Sequence, residues 1–304
     1  MVVAGQTGQA RPGFLNAQYP FRSHFLNLDG HRLHYVDEGS GPVVVMVHGN
    51  PTWSFFYRDL IRDLSAHKRC IAIDHLGCGL SDKPARYSYN LASHIANVQR
   101  LIASLNLDSF DLVMHDWGGL IGFGAVMKEP ERVKSLVIMN TTLHPIRVPL
   151  RIRLCRAPLL GTLLVRGLNG FCGPSTFMAV NRRPLSFDAR RGFLYPYGNW
   201  TDRVAIRAFV QDIPDKESHP SFPLLTEIQA SLEHFEQHNV LLAWGGADFC
   251  FQTGYLERWQ KIFPKARTNL VPDAGHYLLE DAGAELVLEI SRFLQGYGCP
   301  AFCR

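Results

Sequence analysis

Hydrophobic and polar positions follow two different patterns along the first 140 residues of the chain. The short, continuous apolar run Val43–Val47 is typical of a strand that is buried on both faces, and Phe110–His115 is also predicted to be a strand. Residues 91–105 and 118–128 have helical patterns, and Asn90 suits the N-cap of the first of these helices. The alternation of strands and helices predicts a parallel sheet with helices on both faces.

The remaining predicted elements complete one sheet, which the chain leaves once and then rejoins. Further strands are predicted at 24–38 (two strands joined by the turn Asp29-Gly30), Arg69–Asp74, Val133–Asn140, Asn239–Trp244 and 266–271, and further helices at 54–66, 254–263 and 283–295. Residues 144–225 are rich in arginine, proline and aromatic residues without a clear strand pattern, so we expect an inserted helical cap. The predicted class is α/β, a mostly parallel eight-stranded sheet with its core in residues 1–143 and 226–304.

Composition narrows the class of protein further. The 304 residues are 46% hydrophobic and 19% charged, which is typical of a globular chain. No apolar run approaches the roughly 20 residues of a membrane helix, and the N-terminus has no signal-peptide core, so we expect a cytoplasmic protein. A net charge of +4 is too small to predict nucleic-acid binding. The seven cysteines, including Cys299 and Cys303 near the end, form no CxxC pair, and we expect neither a disulfide framework nor a metal site.

A candidate nucleophile follows the strand Phe110–His115. In open α/β sheets, reactive groups lie beyond the carboxyl ends of the strands. Here the sequence His115-Asp116-Trp117-Gly118-Gly119 leads directly into a helix, as in the hydrolase turn G-x-S-x-G, with Asp116 in the nucleophile position. Gly118 supplies a small neighbour, whereas Met114 departs from the pattern. A carboxylate nucleophile would attack an sp³ carbon and form an ester; the alternative is that Asp116 only caps the helix.

Two neutral donors are expected near this nucleophile. The strand Val43–Val47 is followed by His48-Gly49-Asn50-Pro51, and the loop at this point donates a backbone N–H to the oxyanion hole in this architecture. The side-chain amide of Asn50 and the indole N–H of Trp117 could together hold a departing halide ion. Alternatively, Asn50 is a turn residue before proline and Trp117 is a core aromatic.

A general base and its partner follow the last two strands. Asp248 comes after Asn239–Trp244, and His276 comes after the strand 266–271 at a glycine turn. The order nucleophile, acid, base is that of the α/β-hydrolases, with Asp116 in the first place. His276 would take a proton from water, and Asp248 would orient its imidazole and stabilise the charged form. None of the other twelve histidines occupies such a position.

Four stretches of sequence carry a family resemblance. They are His48-Gly49-Asn50-Pro51-Thr52-Trp53, Asp74-His75-Leu76-Gly77-Cys78-Gly79-Leu80-Ser81-Asp82-Lys83-Pro84, His115-Asp116-Trp117-Gly118-Gly119 and Asp273-Ala274-Gly275-His276. Together they resemble the haloalkane dehalogenases of the α/β-hydrolase superfamily over residues 19–295. The resemblance implies the α/β-hydrolase fold, Asp116 as nucleophile, His276 as base, and Asn50 with Trp117 as the halide-binding pair. The polar and glycine residues of the second stretch are interpreted as structural.

The position of the acid indicates a subfamily. One dehalogenase subfamily places a glutamate after the sixth strand, but here that position reads Met139-Asn140-Thr141, so Asp248 is the candidate acid. Aspartate there, together with Asn50, looks like the third subfamily, whose members are reported to form large assemblies. That subfamily overlaps with the β-lactone decarboxylases of bacterial olefin biosynthesis, which share the same five positions.

Three reactions are therefore open. Hydrolytic dehalogenation is the first hypothesis: Asp116 displaces halide from a haloalkane, and water resolves the ester with help from His276 and the backbone N–H groups of Asn50 and Trp117. The second is decarboxylation of a β-lactone by the same triad, and neither reaction needs a cofactor. The third is epoxide hydrolysis, which would require two cap tyrosines such as Tyr195 and Tyr197. A scaffold without activity would need a vestigial triad, and no member is missing.

One segment of the predicted cap has an unusual charge. From Arg147 to Arg191 there are nine arginines and a single acid, Asp188. Within it, residues 149–168 mix arginines with leucine, isoleucine and valine. This mixture predicts contact with a membrane surface or with a second protomer. The alternative is a solvated face whose apolar residues cover the active site.

Overall fold

A nine-stranded sheet runs through the part of the chain that the computed structural model describes, residues 2–3, 11–146 and 148–297. Its strands are β1 (Val2–Val3), β2 (Ser23–Leu28), β3 (His31–Glu38), β4 (Val43–Val47), β5 (Arg69–Ile73), β6 (Phe110–His115), β7 (Val133–Met139), β8 (Asn239–Gly245) and β9 (Arg267–Val271). The spatial order is β1-β2-β3-β5-β4-β6-β7-β8-β9. From β5 to β9 all pairs are parallel, whereas β1, β2 and β3 join antiparallel. The predicted mostly parallel sheet is confirmed, and the two-residue β1 is an addition at its edge.

The central strands owe their position to their composition. Every residue of β6 is buried, and so are four of the five residues of β4. A strand that is apolar on both faces must be covered on both, which requires helices on each side of the sheet. The carboxyl ends of β4, β6, β7 and β8 consequently meet at one edge, because these strands are parallel neighbours.

Thirteen α-helices lie within the described residues. They are α1 (Gly13–Gln18), α2 (Arg58–Leu64), α3 (Leu91–Ser104), α4 (Trp117–Val126), α5 (Leu150–Arg156), α6 (Pro158–Thr162), α7 (Cys172–Met178), α8 (Phe187–Leu194), α9 (Val204–Gln211), α10 (Phe222–Ala230), α11 (Thr253–Ile262), α12 (Leu278–Ala282) and α13 (Ala284–Leu294). A π-helical turn, Leu163–Gly167, follows α6. The predicted N-cap of α3 is present, since the Asn90 side chain accepts the Ser93 N–H at 2.9 Å. None of these helices is long and apolar enough to cross a membrane.

The predicted cap region is helical. Helices α5 to α10 lie between β7 and β8 in the chain, and no strand interrupts them among the described residues. The limits 144 and 225 stay a prediction, and the second falls inside α10. Three residues named from the sequence, Arg147, Cys299 and Cys303, lie outside the described residues.

The cap is fastened to the turn that carries His276. The buried Asp281 carboxylate accepts the N–H of Gly275 at 2.7 Å and the N–H of Asn181 at 2.6 Å. In addition, the N–H of Tyr277 donates to the carbonyl of Ala179 at 2.7 Å. The bonds to Asn181 and Ala179 join residues about one hundred positions apart and hold the end of α7 against the segment after β9.

A buried ion pair anchors α12, the helix that begins two residues after His276. Arg58 on α2 bonds the Glu280 carboxylate with both terminal nitrogens, Nη2 at 2.9 Å. The Arg58 and Glu280 side chains are only 7% and 10% exposed. An uncompensated charge at such a site is costly, so both partners are needed together.

We expect Glu280→Ala to lower the free energy of unfolding by about 3 kcal/mol, because the substitution leaves the Arg58 guanidinium buried without its main partner. Urea denaturation would measure the change. The exposed Glu233→Ala is the matched control and should cost less than about 0.5 kcal/mol. The double variant Arg58→Met, Glu280→Leu should recover most of the loss. Equal stability of Glu280→Ala and the wild type would refute the anchoring role.

Candidate active site

Asp116 stands on a sharp turn between β6 and α4. Its φ is 53°, in the left-handed region that non-glycine residues rarely adopt. The turn brings α4 so close to β4 that a Cβ on Gly118 would lie 1.9 Å from the Val47 carbonyl oxygen. Met114, which departs from the small-residue pattern, is accommodated because its sulfur lies over Gly122, where a Cβ would approach it to 2.6 Å. The turn that the sequence predicted is therefore present.

The two oxygens of the Asp116 carboxylate have different surroundings. Oδ1 accepts the backbone N–H of Asn50 at 2.7 Å. The backbone N–H of Trp117 also favours the charged carboxylate. Oδ2 lies 3.7 Å from Nε2 of His276, which is longer than a hydrogen bond. Burial raises the pKa of Asp116 above its usual range, although His276 and the two backbone N–H groups oppose that shift. One oxygen is thus held by the loop after β4, and the other faces the histidine.

His276 is held in a defined orientation. Its Nδ1 bonds Oδ2 of Asp248 at 2.8 Å, and its carbonyl accepts Nε2 of His115 at 2.9 Å. Burial opposes the charged imidazolium, but the carboxylates of Asp248 and Asp116 outweigh it and raise the pKa of His276 above its ordinary value. The arrangement can take up a proton at Nε2 and stabilise the resulting cation.

Asn140 supports the acid, and the sequence analysis did not identify it as a functional residue. It lies directly after β7, with a φ of 29°. Its Nδ2 donates to Oδ2 of Asp248 at 2.9 Å and to the Gly245 carbonyl at 3.1 Å, and its Oδ1 accepts the Gly245 N–H at 2.8 Å. The sequence did offer one indication of this role: Asn140 is a polar residue at the end of β7, which is the neighbour of β8, the strand that precedes Asp248. Asn140 fixes the carboxylate that in turn fixes His276.

The predicted halide pair lines the same cavity as the predicted nucleophile and base. Asn50 and Trp117 are each 7% exposed and border it together with Asp116 and His276. The Asn50 amide nitrogen makes only a long bond of 3.4 Å to the Ile206 carbonyl. The Asn50 side chain is therefore only weakly engaged by the protein itself, and an anion in the cavity could compete for its N–H₂.

The cavity has a volume of about 280 Å³ and is mostly apolar. Its wall combines core and cap, including Leu120, Ile152, Phe171, Leu225 and Phe251. Of seven aromatic residues between positions 171 and 200 of the predicted cap, only Phe171 lines it. Phe193 and Tyr197 are buried against the core, and Phe177, Phe187, Tyr195 and Trp200 are exposed.

The second motif of the resemblance has a structural role. The buried Asp74 carboxylate accepts the backbone N–H of Ser54 at 2.7 Å and of Leu80 at 2.8 Å, and it pairs with His34. Burial opposes its charge, but these partners together with His48 lower the pKa of Asp74 to about 2. Asp74 does not line the cavity.

Several known proteins are similar to this chain in sequence or in structure. A family described as "alpha/beta hydrolase fold" matches residues 42–161. The chain is 43% identical over 287 residues to a cis-3-alkyl-4-alkyloxetan-2-one decarboxylase of Shewanella oneidensis, covering 92% of this chain and 90% of that protein. It is 32% identical over 272 residues to haloalkane dehalogenase 2 of Mycobacterium tuberculosis, covering 87% and 92%. The crystal structure of haloalkane dehalogenase DbeA from Bradyrhizobium elkani superposes with a TM-score of 0.83 at 24% identity, covering 91% and 98%, which establishes the shared fold.

We expect Asp248→Asn to lower the pKa of His276, because the substitution removes the charge that raises it while burial, which lowers it, remains. The raised pKa means that protonation of His276 stabilises the wild-type fold at acidic pH and that this contribution is lost as pH rises through the folded pKa. An NMR titration of His276 would measure the shift. The matched control is Asp273→Asn, an exposed aspartate three residues before the histidine. An unchanged midpoint in Asp248→Asn would contradict the assignment.

Proposed function

Because this chain belongs to the α/β-hydrolase family that includes cis-3-alkyl-4-alkyloxetan-2-one decarboxylases and haloalkane dehalogenases, we propose that it decarboxylates β-lactones that carry two alkyl groups. An oxetan-2-one is a four-membered β-lactone, and the relative that shares 43% of its residues bears that name. The observation that carries the proposal is the placement of Asp116 on the wall of an apolar cavity. Its Oδ1 is held by a backbone N–H, and its Oδ2 lies toward His276.

The first step is ring opening by Asp116. Its Oδ2 attacks the ring carbon that bears the lactone oxygen, from the side opposite to that oxygen. The bond between this carbon and the ring oxygen breaks, and the electron pair stays on oxygen as a free carboxylate. The substrate is now joined to Asp116 by an ester. The Nδ2 of Asn50 and the indole N–H of Trp117 are the neutral donors available to the new carboxylate.

The second step returns the enzyme to its starting state. The bond between the substrate carbon and its carboxylate breaks to release carbon dioxide, and its electron pair forms the carbon–carbon double bond. The ester bond to Asp116 breaks in the same step and its electron pair returns to the carboxylate. Inversion in the first step followed by elimination from opposite faces keeps the two alkyl groups cis. The two steps together consume no water and transfer no proton.

Haloalkane dehalogenation is the second candidate, and it was the first hypothesis from sequence. The observation that favours it is the His276–Asp248 pair, which a water-consuming reaction needs. Asp116 displaces halide from an sp³ carbon, Asn50 and Trp117 bind the departing ion, and His276 takes a proton from the water that attacks the ester. The oxygen that becomes negative is Oδ1, which the Asn50 N–H already holds at 2.7 Å.

Epoxide hydrolysis has less support. It would need two acidic hydroxyl groups above the nucleophile. Tyr195 and Tyr197 do not line the cavity; the only described tyrosine that does so is Tyr277, whose hydroxyl donates to Ser175 at 2.9 Å. Tyr197 is buried and bonds the loops at Gly79 and Thr52.

Asp116→Asn tests the nucleophile. We expect the wild type to release an alkene and carbon dioxide from a cis-3,4-dialkyl-oxetan-2-one, and the variant to be slower by roughly 10⁴-fold or more, because an amide is a far weaker nucleophile. Gas chromatography of the alkene measures both. The exposed Asp108→Asn, on the loop before the same strand, is the matched control and should keep wild-type activity. A folded wild type that releases no alkene would overturn the proposal.

His276→Gln separates the two candidate reactions. Decarboxylation consumes no water, so we expect the variant to release alkene over many turnovers. With 1-bromobutane, in contrast, it should release one bromide per enzyme and then stop, because the ester cannot be hydrolysed. Mass spectrometry of the intact protein would detect the added butyl group. Loss of alkene release to the same extent as in Asp116→Asn would refute the water-free second step.

A further inference from the structure

Six leucines on one stretch of the cap point into solvent. They lie on α5, on α6 and at the π-helical turn that follows, and their exposed fractions range from 46% to 87%. This cap leucine face consists of Leu150, Leu154, Leu159, Leu160, Leu163 and Leu168. The spacing places Leu150 above Leu154, and Leu159 above Leu163, on the outer side of the helices. Single exposed leucines are common on proteins, but six within nineteen residues are not a scatter.

Two further apolar side chains adjoin the face. A Cβ on Gly167 would lie 3.1 Å from Leu163 and 3.5 Å from Trp200, so these two side chains border the same glycine. Trp200 is 43% exposed. On the other side, Nη1 of Arg151 lies 3.9 Å from the sulfur of Met178, which is exposed on α7. The apolar surface therefore continues from the six leucines onto neighbouring cap elements.

Arginines are interleaved with the leucines, and most lack an acidic partner. Among the described residues, Arg151, Arg153 and Arg166 have no carboxylate within 4.0 Å, whereas Arg156 pairs with Asp215 at 2.6 Å. Residues 149–168 contain no aspartate or glutamate. Two copies of this face packed together would oppose unpaired positive charges, which disfavours self-association. An anionic lipid surface would compensate the charges and accept the leucines.

The mouth of the active-site cavity lies beside this face. Arg151 and Ile152 on α5 line the cavity together with Pro174 and Met178 on α7. Arg151, Pro174 and Met178 are also exposed, so the cavity reaches the surface between α5 and α7. The outer side of α5 belongs to the cap leucine face, and its inner side belongs to the cavity wall.

We propose that the cap leucine face docks on an anionic phospholipid bilayer and that docking places the cavity mouth at the lipid surface. Leucines of α5 and α6 enter the boundary between headgroups and acyl chains, and Arg151, Arg153 and Arg166 contact the lipid phosphates. The docking is argued from the exposed leucines and arginines of this face alone. That it serves to load a dialkyl β-lactone, which partitions into lipid, rests on the proposed function.

Vesicle flotation tests the docking. The wild type should float with vesicles of phosphatidylcholine and phosphatidylglycerol at 7:3 in low salt, and bind at least tenfold less to pure phosphatidylcholine or in 0.5 M salt. The variant Leu159→Ser, Leu160→Ser, Leu163→Ser should lose at least tenfold in partition to the anionic vesicles. Arg153→Gln should reduce anionic binding and its salt dependence. None of these four residues lines the cavity.

A matched control removes apolar surface elsewhere. Leu270 and Leu288 are 42% and 46% exposed on β9 and α13, and the double variant Leu270→Ser, Leu288→Ser should bind vesicles like the wild type. Absence of wild-type binding, or equal binding by the triple variant, would overturn the proposal. A second outcome would also overturn it: light scattering shows a dimer for the wild type, which does not bind vesicles, and a monomer for the triple variant. The cap leucine face would then join two copies of the chain.

The same variants allow the docking and the proposed reaction to be tested separately. Turnover of a short-chain, water-soluble β-lactone without vesicles should be equal in the wild type and the triple variant. Vesicle binding by a wild type that does not turn over this compound would count against the proposed function and leave the docking supported. Turnover without vesicle binding would have the opposite meaning.

Discussion

The hydrogen bond from the backbone N–H of Asn50 to one oxygen of Asp116 is the interaction on which the site depends. It exists because the chain leaves β6 in a left-handed turn and enters α4 at once, so that the carboxylate meets the loop after β4. The oxygen that accepts this bond is turned toward the loop after β4, and the other faces His276. A carboxylate that could rotate freely would lose this division of labour between the two atoms.

A chain of contacts reaches Asp116 from Asn140, which follows the neighbouring strand β7. Asn140 holds Asp248, Asp248 holds His276, and His276 faces Asp116. Burial raises the pKa of Asp116 and disfavours the charged imidazole of His276, whose pKa is nevertheless raised by the carboxylates of Asp248 and Asp116. The two proposed reactions use the chain to different degrees, because only one of them consumes water. One set of residues therefore suits two chemistries that share their first covalent step.

The sequence allowed the fold and the main site residues to be predicted for one physical reason. Parallel neighbouring strands end at the same edge of a sheet, so polar residues that follow β4, β6, β8 and β9 must approach one another. The structure brings Asn50, Asp116, Asp248 and His276 together as that argument requires. The roles assigned to them as catalytic and halide-binding residues remain predictions.

Other features carry no local signal. The bonds from Asp281 to Asn181 and Gly275 join segments that differ by up to one hundred positions, and no periodicity reports them. The cavity mouth likewise depends on how α5 packs beside α7, which the helical pattern of either one does not specify. The position of Asn140 at a strand end does indicate a place in the site, but its side chain is an uncharged amide and does not match the carboxylate expected of the acid.

The Asp281 carboxylate has a consequence for the evolution of this enzyme. It receives two N–H groups from the cap, those of Asn181 and Arg182, and one from the turn that carries His276, so the cap is not an interchangeable module on a fixed core. A cap grafted from a relative would bring its own pocket and also shift the base, unless it kept the backbone geometry at residues 181 and 182. We therefore expect substitutions in the cap segment that bonds Asp281 to move His276 as well as the cap.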